Sequence, residues 1–221
     1  MPSQVTHLAI RHTGTMSTEP SAYHRRVAEE KRAAILTAAT DLFLASGYDS
    51  TSLARIAEAA GVSKATLFKQ FPTKAALFDA IVTDSWKVED SGGPDPSATD
   101  LRTGLTAIGH RYVELLTRPG MTALFRIVIA ELPRFPELGE AQFSQGKMPY
   151  FESVSRYLAA AHAAGSAKVE DPTLAATQFL GMISNFVFWP TLLLTDWAPE
   201  RSAIERAVEE AVQTMIARYR P

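Results

Sequence analysis

The 221 residues contain no cysteine, which excludes a disulfide framework, a thiolate metal site and a cysteine nucleophile, and fits a reducing compartment such as the cytoplasm. With 46% hydrophobic residues, 21% charged and a net charge of -2, this is an ordinary globular chain of one large or two small domains, neither disordered nor a heavily charged coat for nucleic acid. The charge is unevenly spread: His24 to Lys74 carries eight basic against five acidic side chains and Asp90 to Pro221 twelve against fifteen, so the two parts are expected to meet different partners.

Residues 1–22 lack the basic start, sustained apolar stretch and small-residue cleavage site of a secretory signal. They read as a disordered tail, within which Met16 is an alternative start. Beyond the tail, Ile35, Ala38, Ala39, Leu42 and Phe43 recur at the spacing of an amphipathic helix that ends at Gly47. Leu53, Ile56, Ala57 and Ala60 predict a second helix stopping at Gly61. Ser63 caps a third that Pro72 closes, and Thr73 caps a fourth running to about Glu89.

The stretch Ser91 to Ser97 is dense in turn formers and empty of apolar residues, so a linker is placed at 91–99, between a domain at 23–90 and another at 100–221. In the second, Leu101, Leu105, Ile108, Tyr112 and Leu115 form one helical stripe, Met121 to Leu132 a second helix, and Phe151, Val154, Leu158 and Ala161 a third. Asp171-Pro172 and Pro199 each mark a further helix start. No strand pattern competes, so the expected fold is all-α.

The run from Leu53 to Phe71 has the form of a helix-turn-helix: two short helices, a glycine-containing turn, and small residues at Ala57 and Ala60 where the helices cross. On the later helix Leu67 and Phe71 face inward, while Lys64, Ala65, Phe68 and Lys69, flanked by Thr66 and Gln70, face out. Lysine, hydroxyl and amide groups suit phosphates and base edges. They equally suit a solvated face on a small helical bundle, and spacing alone leaves both readings open.

Taken with Ala33-Ala34-Ile35-Leu36, Ala39, Leu42-Phe43, Gly47-Tyr48, Thr51, Ile56-Ala57, Ala60-Gly61-Val62-Ser63, Thr66-Leu67-Phe68, Phe71, Lys74 and Leu77-Phe78, this segment resembles the DNA-binding domain of TetR-family transcriptional regulators. The resemblance implies a three-helix DNA-binding domain with a linking helix. Lys64, Ala65 and Lys69 would lie near bases, and Thr51, Thr66, Phe68 and Lys74 at phosphate-contact positions. Phe68 stands where the family usually has tyrosine, so it can pack against sugar or a thymine methyl but cannot donate to phosphate. Thr51 and Lys74 lie near helix N-termini, where free N–H groups favour an anion.

Phe179 to Leu194 is a nearly unbroken apolar run, yet its sixteen residues are too short and too interrupted by Ser184, Asn185 and Thr191 to span a membrane. A helix apolar on most sides needs cover from its own domain and from a second chain. Together with the stripe Ile204, Val208, Ala211, Val212, Met215 and Tyr219, it is expected to form a homodimer interface, with Phe188, Val208, Val212 and Met215 at the contact. Pro190 should kink or split the run. The run's ending resembles AefR-like C-terminal domains, which implies an effector pocket; its candidates are Trp86, His110, Phe125, Phe151, Met182, Asn185, Phe186 and Trp189, each of which also reads as a core or structural residue. Arg126 and Glu131, five apart on one helix, do not face each other.

No metal-spaced cluster, nucleophile elbow or phosphate-binding glycine loop occurs, so no enzyme, cofactor or metal is expected. The expected protein is a cytoplasmic homodimer that binds a pseudo-palindromic double-stranded DNA operator, a repressor released by a small apolar or aromatic effector, with no membrane partner. The alternative is an effector-independent or architectural DNA-binding protein.

Overall fold

A computed structural model describes residues 22–87, 96–194 and 196–221, and all regular structure among them is helical. Four helices come first: α1 (Ala22–Ser46), α2 (Leu53–Ala59), α3 (Lys64–Gln70) and α4 (Lys74–Trp86). The opening turns of α1 are exposed, and its buried stripe begins only at Ile35, continuing through Ala39 and Phe43. Ser52, Ser63 and Thr73 each accept a backbone N–H from the first turn of the helix that follows, which fixes where α2, α3 and α4 start. Between α2 and α3 the chain reverses at Gly61, whose φ of +65° a side chain would oppose. Gly61 N–H donates to Glu58 O and Val62 N–H to Ala57 O, closing the last turn of α2 and aiming α3 across it.

Seven α-helices follow: α5 (Leu101–Leu116), α6 (Met121–Glu131), α7 (Pro136–Glu140), α8 (Met148–Ala163), α9 (Pro172–Val187), α10 (Trp189–Leu193) and α11 (Arg201–Arg218). Asp171 caps α9 by accepting from Leu174 N–H, with Pro172 in its first turn. Helices α5, α9 and α11 pack on one another, and α8 packs on α9. The stripe Leu101, Leu105, Ile108, Tyr112 and Leu115 is buried throughout.

Between α7 and α8 the helix widens into a π-helix over Ala141–Lys147, which packs against α4. Pro149 supplies a reason: it has no N–H for the carbonyl of Gln145, and its ring would crowd that carbonyl in a regular α-helix. Met148 N–H instead reaches back five residues to Phe143 O.

The run from Phe179 to Leu194 is split near Pro190 as expected: α9 ends with Phe188 N–H on Ser184 O, and Pro190 lies in the first turn of the separate α10. Arg126 secures that short helix by donating to the carbonyls of Thr191 (3.0 Å) and Leu192 (3.2 Å). Pro199, for its part, does not open the last helix, which starts at Arg201 after an extended Glu200.

Candidate nucleic-acid interface and ligand cavity

Helix α3 divides as its sequence suggests. Leu67 is fully buried and Phe71 nearly so, which anchors the inner face, while Lys64, Ala65 and Lys69 are exposed. Phe68 is 47% exposed, so its ring is available on the outer face of the helix. Thr66 is half-buried and shares a 2.8 Å hydroxyl contact with the capping Ser63. Arg32 of α1 lies over the Phe71 ring at 4.9 Å, placing another cation beside the end of α3.

The two positions near helix N-termini make their hydrogen bonds within the protein, which sets a packing role beside the phosphate contact that the resemblance implies. Thr51 is 1% exposed and donates its hydroxyl to Gly47 O at 2.8 Å, with Leu42 O at 3.3 Å. Lys74 Nζ donates to the carbonyls of Tyr48 (2.5 Å), Asp49 (2.9 Å) and Thr51 (3.1 Å). All three ammonium protons are therefore placed within the protein. The Nζ also lies over the Tyr48 ring at 4.5 Å, and burial pulls its pKa down despite the nearby carboxylates of Asp49 and Glu131.

The same turn is gripped from the second half of the chain. Glu131 accepts the Tyr48 N–H at 3.0 Å, Arg134 pairs with Asp49 at 2.7 Å, and the Phe135 ring packs edge-on against Tyr48 at 5.1 Å. Burial, with Glu137 and Asp79 nearby, raises the Tyr48 hydroxyl to about 12. Neither Glu131, Arg134 nor Phe135 stood out in the sequence, because their partners lie about eighty residues away.

A cavity of about 790 Å³ lies where the C-terminal end of α4 meets α5, the π-helix and α8. Trp86, Ile108, Tyr150, Val154 and Tyr157 supply its apolar wall, and Lys87, Arg111 and Arg156 are the cations in its lining. Two glycines seat its aromatic rings: a Cβ on Gly146 would stand 2.6 Å from the Trp86 indole, and one on Gly104 1.8 Å from the Tyr157 hydroxyl. The Tyr150 ring stacks on Tyr112 at 5.3 Å and its hydroxyl donates to Ile108 O. Burial raises Tyr112 and Tyr157 to about 12, and Tyr150 further still.

Of the expected pocket residues only Trp86 lines this cavity. His110 borders a groove between α5 and α11, and Phe151 a smaller one between α8 and α9. Phe125 is packed against Phe188 at 4.8 Å, Met182 is partly buried against the core, Phe186 packs on Trp197, and Asn185 and Trp189 are exposed. Four of the candidates, Met182, Asn185, Phe186 and Trp189, were drawn from the run near Pro190, where the break lets α10 fold back onto α6.

The dimer contact is corrected as well. Phe188, Val208, Val212 and Met215 are all at most 3% exposed within a single chain, so they face their own core. The exposed apolar side chains nearby are Leu174 of α9, Trp189 and Leu193 of α10, and Leu194 and Trp197 just beyond, with Leu193 at 78%. Among the described residues no helix is long and apolar enough to cross a membrane, and no His, Asp and Glu group is placed to hold a metal.

Known proteins bear on both halves. Residues 35–81 match the model for bacterial regulatory proteins of the tetR family, and residues 103–221 that of the AefR-like transcriptional repressor C-terminal domain. The HTH-type transcriptional regulator RutR of Escherichia coli K12 is 41% identical over 85 residues; that match covers 37% of this chain and 36% of RutR, little more than a third of either. Among solved structures, the flavonoid-responsive regulator FrrA is 29% identical with a TM-score of 0.71, covering 87% of this chain and 98% of that one. A TetR family transcriptional regulator from Pseudomonas syringae pv. tomato DC3000 has the same identity and score over 86% and 97%.

Proposed function

The chain belongs to the TetR family of transcriptional regulators, and on that premise we propose that it is a homodimeric repressor that leaves its DNA operator when a small, largely apolar ligand fills the cavity beside Trp86. The observation that carries DNA reading is the division of α3, buried along Leu67 and Phe71 and open at Lys64, Ala65, Phe68 and Lys69. A helix held this way enters a major groove with Lys64, Ala65 and Lys69 toward base edges and with Phe68 toward sugar or a thymine methyl. Thr66 is placed at the edge of the same face.

Two α3 helices must be spaced by a dimer to meet a pseudo-palindromic site. The exposed apolar side chains of α10, Trp189 and Leu193, together with Leu174 of α9, mark the surface the second copy covers. Residues 23–90 then form the DNA-binding unit and 100–221 the effector and dimer unit, working in the cytoplasm where the DNA is.

Helix α4 supports coupling between the two. Its first residue, Lys74, holds the turn after α1, and its last, Trp86, forms the cavity wall. Thirteen residues make a rod of about 20 Å. A ligand that packs against Trp86 and presses on it tilts this rod as a unit and carries the helix-turn-helix with it; release follows if the ligand binds the tilted form more tightly. FrrA, by its name responsive to flavonoids, supports an aromatic ligand class. The test is a DNA titration with and without ligands found by thermal shift: ligands that raise the melting temperature should weaken DNA binding, and binding indifferent to every stabilising ligand would refute release.

A further inference from the structure

Resting on the reading of the Trp86 cavity as the effector site, we infer that its ligand is an organic acid, an apolar body bearing a carboxylate-type anion that Arg111 and Arg156 hold while the body lies against Trp86 and Tyr157. The first observation is charge. Among the described residues, Lys87, Arg111 and Arg156 line the cavity and no aspartate or glutamate does. None of the three cations enters an ion pair among the described residues, where Arg102, Arg134 and Arg201 each have a carboxylate partner.

The second observation is the accounting of hydrogen bonds. The hydroxyls of the lining are already used: Thr83 donates to Asp79 O, Ser153 to Tyr150 O, Tyr150 to Ile108 O, and Tyr157 lies within reach of the carbonyls of Ser97 and Asp100. Among the described residues, what remains unspent is the guanidinium and ammonium N–H, the Trp86 indole N–H and the Gln145 amide, predominantly donors. Arg111 is half-buried, so its attraction for an anion is screened less than at an open surface. A planar guanidinium meets a carboxylate through two parallel bonds, which a neutral ligand cannot reproduce.

The third is shape. A volume of about 790 Å³ suits a ligand of drug-like size. Its aromatic walls are seated on Gly146 and Gly104 before any ligand arrives, so little side-chain ordering is left to oppose binding.

The experiment compares 2-naphthoate with 2-naphthamide on the full-length protein, by calorimetry and by quenching of tryptophan fluorescence. The acid should bind at least about tenfold more tightly than the amide, as expected when a charged hydrogen-bonded pair is formed. Arg111→Gln should remove most of that preference by weakening the acid far more than the amide, and the exposed Arg156→Gln, which carries little risk to folding, should reduce it in part. Equal affinity of acid and amide, or a preference untouched by both variants, would overturn the inference. Binding of neither compound would overturn it together with the cavity's role as effector site. A preference for naphthoate with no change in DNA affinity would support the inference and defeat ligand release instead.

Discussion

Glu131, the last residue of α6, accepts the backbone N–H of Tyr48 at 3.0 Å and so ties the larger helical unit to the turn that introduces the helix-turn-helix. A charged acceptor on a backbone donor is worth about 1.5 to 3 kcal/mol. Glu131→Ala should lower thermal stability by an amount of that order and reduce the effect of ligand on DNA affinity. Melting curves and paired DNA titrations check both. Unchanged ligand response in a destabilised variant would show that Glu131 holds the fold but carries no signal.

Lys74 gives a contrast between two roles. With its three protons on the carbonyls of Tyr48, Asp49 and Thr51, Lys74→Ala should loosen the turn, lower stability and weaken DNA binding, while the slope of log affinity against log salt stays as it was. Were Lys74 a phosphate ligand, the slope would fall by roughly one and stability would hold. Salt titration of wild type and variant decides between them.

The dimer face is tested by two substitutions with different expected failures. Leu193→Glu adds charge to a side chain 78% exposed in the monomer, so it should leave helicity intact and dissociate the dimer. Val212→Glu places a charge at a fully buried position and should unfold the larger domain. Analytical ultracentrifugation with circular dichroism separates the outcomes, and a Leu193→Glu protein that stays dimeric would move the interface elsewhere.

Alkaline pH should also destabilise the protein. Tyr48 and Tyr112 are raised to about 12 by burial, whereas tyrosines in the unfolded chain ionise near 10. Above about pH 10 the unfolded state loses protons that the folded state keeps, so the stability present at neutral pH falls through the window from about 10 to 12. Denaturation midpoints across that range, read with phenolate absorbance, should fall together. Buried tyrosines that ionise with no loss of midpoint would contradict the burial assignment.

Local features were legible in the sequence and distant ones were not. The caps at Ser63, Thr73 and Asp171, the stop at Gly61 and the inner face of α3 follow from neighbours within a few residues, and the structure has them. The stripe of α11 was visible too, but periodicity says only that a face is buried. It cannot distinguish its own core from a second chain, which is why Val208, Val212 and Met215 were assigned to the dimer contact. The packing of Thr51 and Lys74 was hidden for a similar reason: a helix N-terminus suits an anion, and nothing local shows that nearby backbone carbonyls take up their hydrogen bonds. The cavity depends on Trp86 meeting Gly146 across sixty residues and on a π-helix that no 3.6-residue pattern reveals.

The central claim is that α3 reads a symmetric DNA sequence, and selection of bound duplexes from a random pool tests it most directly. The account predicts enrichment of one two-fold symmetric site by the wild-type protein. With Lys69→Ala, preference should relax at one position in each half-site by about 1 to 3 kcal/mol. A pool that shows no symmetric enrichment, or a site preference identical in wild type, Lys64→Ala and Lys69→Ala, would contradict the assignment of α3 as the reading helix.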